Sequence, residues 1–97
     1  MRPSEVLSSM RGAIRAITIA NDTLNPRVFG SVARGEDDED SDLDLLVDNI
    51  PGQTTLASLA RIKSQVEQLT GIQTDVATPG SLKARYREQV LQEAVAL

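Results

Sequence analysis

Residues 42–47 read Asp-Leu-Asp-Leu-Leu-Val, a buried-strand composition with two carboxylates set into it. Side chains alternate across a strand, so Asp42 and Asp44 leave one face while Leu43 and Leu45 leave the other. Two adjacent carboxylates repel each other, and a core-forming strand is a costly place for them unpaired. A divalent cation resolves that cost. The chain has no cysteine and no histidine. Disulfides, thiolate zinc, a cysteine nucleophile and imidazole chemistry are therefore excluded. Hard oxygen donors alone point to Mg²⁺ or Mn²⁺ rather than Zn²⁺.

The same segment ends a dense acidic run. Residues 36–48 hold eight of the fourteen acidic residues and no Lys or Arg, while the whole chain carries a formal charge of −4. A mildly basic domain therefore surrounds one acidic segment. Acidic runs are usually solvated, but this one continues into Leu43, Leu45, Leu46 and Val47. Glu36 to Asp40 reads as an exposed loop whose length matters more than its identity. Ser41 onward reads as a strand that Asp48 ends.

The remaining elements follow from periodicity. Val6, Leu7, Met10, Ala13, Ile14 and Ile17 recur at helical spacing after Ser4, a candidate N-cap. Arg27-Val28-Phe29 is a short strand running into Gly30, and Ser31 to Arg34 is a helical turn closed by Gly35. Leu56, Leu59, Ile62, Val66 and Leu69 form one face of a helix over 55–69, with Gly71 at its C-terminal cap. Ile72 to Ala77 is the third strand and carries Asp75. Ser81 can cap a final helix with Leu82, Tyr86, Val90, Leu91, Ala94 and Val95 on one side. Its apolar end either covers the sheet or extends, with Leu97, into a protein interface.

The expectation is one α/β (α+β) domain over 1–97, in the order αβαβαβα, with a small mixed three-stranded sheet flanked by helices. The crossover between the second and third strands is long enough for a helix, so those two strands should be parallel. No apolar run is long enough to span a bilayer, and no signal-peptide pattern opens the chain. The expected location is cytoplasmic, away from membranes.

Gly30-Ser31 lies where a strand turns into a helix, so backbone N–H groups point outward there, and Ser31 adds a hydroxyl donor. Glycine lets the backbone approach a phosphate closely. Asp75 can face Asp42 and Asp44 if the second and third strands are neighbours. Three carboxylates suffice for two metal ions about 3.5–4 Å apart. Each piece alone has a plain structural reading: an ordinary turn, a surface carboxylate pair, an ion-pair partner at Asp75, a surface charge at Arg34. Joined in this order, they suit phosphoryl or nucleotidyl transfer from a nucleoside triphosphate. A calcium EF-hand is rejected: Asp38, Asp40 and Asp42 imitate its first ligands, but Leu43 and Asn49 stand where Gly and Glu are required.

Gly30-Ser31, ten intervening residues and Asp42-Leu43-Asp44 match the G-S-x10-D-x-D signature of the nucleotidyltransferase superfamily related to DNA polymerase β. The longer string GSVARGEDDEDSDLDLLV resembles the minimal nucleotidyltransferases, the antitoxin halves of HEPN/MNT toxin–antitoxin pairs. The resemblance implies that Gly30 and Ser31 hold the triphosphate and that Asp42 and Asp44 bind both metal ions. It implies Asp75 as the third carboxylate, ligating the catalytic metal and assisting removal of the acceptor proton. It places Arg34 at the phosphates or their loop. Val32 stands where many relatives carry Arg or Tyr, which removes one polar contact.

The implied activity is transfer of AMP from ATP to a tyrosine of a cognate HEPN ribonuclease toxin, with which the chain would form a hetero-oligomer. Two alternatives stay open: neutralisation of the toxin by occlusion alone, and transfer to a small molecule. The chain offers little room for the extra acceptor domain the latter implies. Direct nucleic-acid binding is not expected, because one Tyr and one Phe make no stacking platform.

Overall fold

The computed structural model describes all residues, 1–97. Helix α1 spans Pro3–Ala20, strand β1 Thr23–Phe29, the one-turn helix α2 Ser31–Arg34, strand β2 Leu43–Asn49 and helix α3 Leu56–Thr70. Strand β3 spans Thr74–Ala77, helix α4 Ala84–Glu93 and strand β4 Val95–Ala96, with a 3₁₀ turn at Pro79–Ser81. The sheet order is β3-β2-β1-β4. β2 and β3 are parallel, as the α3 crossover requires, and β1 is antiparallel to both β2 and β4.

The core lies between the sheet and the pair α1 and α3. Leu7 and Ile14 of α1 and Ile62 and Val66 of α3 close over Val28, Leu43 and Leu45, with Val32 at the edge. Alternation along β2 sends Leu43, Leu45 and Val47 toward these helices and Asp44, Leu46 and Asp48 to the opposite face. Leu46 is buried there beside Asp44. Asp48 pairs with Arg27 on the neighbouring strand and accepts from Asn25, so it links strands as well as standing near the end of one.

The sheet has four strands, not three. The final helix stops at Glu93, Ala94 is extended, and Val95 and Ala96 pair with Val28 and Arg27. Two forces account for the change. β1 otherwise presents an unpaired edge, and Arg11 and Arg15 of α1 donate to the carbonyls of Ala96 and Leu97 at 3.1 and 3.2 Å. β1 is longer than the Arg27-Val28-Phe29 segment because it continues back through a bulge at Asn25 and Pro26, where a missing N–H is tolerated.

Two caps differ from expectation. Ser81 belongs to the 3₁₀ turn that Thr78 caps, and α4 starts after Lys83. Ser4 lies inside α1, which begins at Pro3, a position where the missing N–H is an orphan anyway. The cap comes instead from the acidic loop: Asp37 accepts from the Ser4 N–H at 2.8 Å and is only 6% exposed. Identity therefore matters at this loop position. Burial pushes the Asp37 carboxyl up, but the Ser4 hydrogen bonds outweigh it and hold the group below its usual range. Asp37→Ala should destabilise the fold by about 1–2 kcal/mol. Chemical denaturation of Asp37→Ala beside Asp40→Ala checks this, with Asp40→Ala, whose exposed side chain makes no hydrogen bond or ion pair, near neutral. On α3, Thr55 caps the N-terminus and Gly71 closes the C-terminus at φ +73°. Leu56, expected on the buried face, is 86% exposed at the first turn.

Candidate active site

Asp44 sits in β2 directly across from Asp75 of β3 on one side and Phe29 of β1 on the other. Asp42 immediately precedes the strand and is exposed. The parallel register thus brings the three carboxylates to one end of the sheet. None of them has a hydrogen-bonding or ion-pair partner, whereas Asp48, on the same strand, is paired. Burial first, then the charges of Asp75 and Asp42, push the Asp44 carboxyl up to about 6; Arg34 opposes the shift and Glu93 adds to it. The side chains do not close on a single ligating point. They form an unneutralised oxygen cluster whose donor chemistry suits a hard divalent cation.

Gly30 ends β1 against this cluster. Its φ is +73°, and a Cβ added there would lie 2.3 Å from Asp44 Oδ2. Only glycine lets the backbone turn this way while the Asp44 carboxylate rests against it. The following residue, Ser31, opens α2 with a half-buried side chain, and its hydroxyl makes no hydrogen bond within the protein. Val32 turns inward to the core. Arg34, at the end of the turn, is exposed and pairs with Glu36 at 3.1 Å and Glu93 at 3.3 Å. All six expected site residues therefore lie around the carboxyl end of β1 and the amino ends of β2 and β3.

One participant is not marked in the sequence. Glu93, at the end of α4, accepts from the Gly30 N–H at 3.0 Å. The contact joins residues 63 positions apart, and no local pattern distinguishes Glu93 from the other helix carboxylate, Glu88. A cavity of about 310 Å³ opens between the Gly30 turn and α4, walled by Phe29, Leu82, Tyr86 and Val90. On the other side, a groove of about 470 Å³ runs past Asp42, Glu39 and Gly71.

The nucleotidyltransferase domain family matches residues 24–97. The chain is 41% identical over 70 residues to the protein adenylyltransferase MntA of Thermococcus cleftensis, covering 70% of this chain and 68% of that one. It is similar to a solved structure described as a minimal nucleotidyltransferase, with 46% identity, a TM-score of 0.86 and coverage of 97% and 95% of the two chains. A toxin–antitoxin crystal structure with AMP-PNP shares the fold at a TM-score of 0.74 and 16% identity, covering 88% of this chain and 69% of that one.

Proposed function

The chain belongs to the nucleotidyltransferase domain family and is a nucleotidyltransferase; from that premise we propose that it is an antitoxin that transfers AMP from ATP to a tyrosine of a HEPN ribonuclease toxin. One observation carries the reading. An uncompensated carboxylate trio, with Asp44 pushed up to about 6, lies against a glycine turn that only Gly30 can make. A charge cluster of this kind beside a close backbone approach favours a cation and a phosphate together. The name of the Thermococcus relative, a protein adenylyltransferase, supports a protein acceptor, and the toxin–antitoxin structure with AMP-PNP supports a toxin partner and an adenine nucleotide.

In the proposed reaction the tyrosine hydroxyl attacks the α-phosphorus of ATP. An O–P bond forms to the tyrosine, the bond to the bridging oxygen breaks, and pyrophosphate leaves. Gly30 N–H, Ser31 Oγ and Arg34 hold the phosphate oxygens, and Asp75 receives the hydroxyl proton. Asp42, Asp44 and Asp75 would hold Mg²⁺ or Mn²⁺, which supplies neutralisation of charge developing on the phosphates. Positioning of this kind accounts for most catalysis in such transfers, because there is little covalent chemistry for the protein to perform.

Occlusion without chemistry is favoured by one observation, that Glu93 already satisfies Gly30 and Arg34. Incubation of the protein with ATP, Mg²⁺ and its cognate toxin separates the two readings. Transfer predicts a toxin heavier by one or more AMP units in the mass spectrum. A stable complex with toxin of unchanged mass would leave occlusion.

A further inference from the structure

The donors assigned to the triphosphate already hold an anion from the chain itself. Glu93 Oε1 accepts from the Gly30 N–H at 3.0 Å, and both Glu93 oxygens lie 3.3 Å from Arg34 Nη1. The Glu93 side chain is only 17% exposed. A carboxylate and a phosphate oxygen present the same chemistry to an N–H and a guanidinium, and the single N–H of Gly30 cannot serve both at once.

We infer that Glu93 is an internal competitor for the phosphate site and sets the affinity of this chain for nucleotide. The inference rests on the reading of Gly30 and Arg34 as phosphate ligands and adds what stands in their way. The element that carries Glu93 lies outside the core. Helix α4 has no buried residue, while α1 and α3 supply the helical side of the core. The helix is fixed at its start, where Arg87 donates to the carbonyls of Pro79 and Leu82 at 2.8 and 2.9 Å. Its end is held by the two-residue strand β4, by the Arg11 and Arg15 bonds to Ala96 and Leu97, and by Glu93. Releasing the Glu93 side chain alone exposes no buried residue of α4. Nucleotide occupancy becomes coupled to the position of α4 and β4, because the same carboxylate cannot stay bound when phosphate arrives.

Glu93→Gln keeps the side chain's size and one acceptor oxygen but removes the charge. Titration calorimetry with AMP-PNP and Mg²⁺ should show the variant binding roughly tenfold or more tightly than the wild type, since like charges no longer face each other. Equal or weaker binding by a folded Glu93→Gln overturns the inference and leaves the phosphate site in place. Failure of both proteins to bind AMP-PNP overturns the phosphate-site reading and the inference with it. An independent measurement needs no variant. In amide NMR spectra of the wild type, AMP-PNP should shift Gly30 together with Glu93, Val95 and Ala96. A shifted Gly30 with unmoved Glu93, Val95 and Ala96 overturns the inference.

Discussion

Asp44→Asn should abolish transfer while raising the melting temperature of the metal-free protein at pH 8. Burial, Asp75 and Asp42 push the Asp44 carboxyl from its ordinary 3.8 up to about 6. A carboxyl raised on folding binds its proton more tightly in the folded state. Its stabilising contribution is full below about pH 4 and is lost as pH rises through about 6. The shift alone corresponds to about 3 kcal/mol, and screening at this half-buried side chain reduces it to about 1–2 kcal/mol. For a domain near 100 residues each kcal/mol moves the midpoint by about 4–8 °C. The variant should therefore melt several degrees higher at pH 8 with chelator present, and the difference should vanish near pH 4. Metal charge stabilisation is worth several kcal/mol, so single-turnover transfer should fall by at least about a hundredfold. An Asp44→Asn protein that melts lower than wild type at pH 8 would show that Asp44 is a satisfied structural group.

Gly30→Ala should lose transfer to a similar extent for a steric reason. The new methyl carbon would lie 2.3 Å from Asp44 Oδ2 and on a backbone at φ +73°. With ψ at −150° this backbone lies in a region that is essentially restricted to glycine, a penalty of about 1–3 kcal/mol, and the Asp44 carboxylate must swing away from its place beside Asp75. Gly71→Ala controls for positive φ alone: φ is again +73°, but ψ is 11°, the ordinary left-handed region, and no atom lies within 4 Å of the added carbon. Both variants should lose stability by denaturant titration, Gly30→Ala the more, but only Gly30→Ala should lose transfer. Retained transfer in Gly30→Ala would mean that the contact between Gly30 and Asp44 is incidental.

The parts of the fold that were legible in the sequence are those governed by local periodicity. Leu43, Leu45 and Val47 alternate with Asp44, Leu46 and Asp48, and this pattern alone defines β2 and its two faces. The spacing of Ile62 and Val66, closed by Gly71, defines α3, and its length makes β2 and β3 parallel. The clustering of Gly30, Asp42, Asp44 and Asp75 was legible because strand neighbours bring those positions together. What stayed hidden depends on partners distant in the chain. Ala94-Val95-Ala96 suits helix or strand, and the free edge of β1 with Arg11 and Arg15 decides it. Asp37 looked like one more solvated acid, because the Ser4 N–H it caps is 33 positions away. Glu93 carries no local mark of its contact with Gly30.

In the proposed reaction the Gly30 turn and the three carboxylates direct attack onto the α-phosphorus of ATP. ATP labelled at either the α- or the γ-phosphate, incubated with the protein, Mg²⁺ and the cognate toxin, tests it most directly. Attack at the α-phosphorus places α-label on the toxin and releases γ-label as pyrophosphate, with neither transfer in Asp44→Asn. Label on the toxin from the γ-position, or from neither position while the two proteins remain bound, would contradict it.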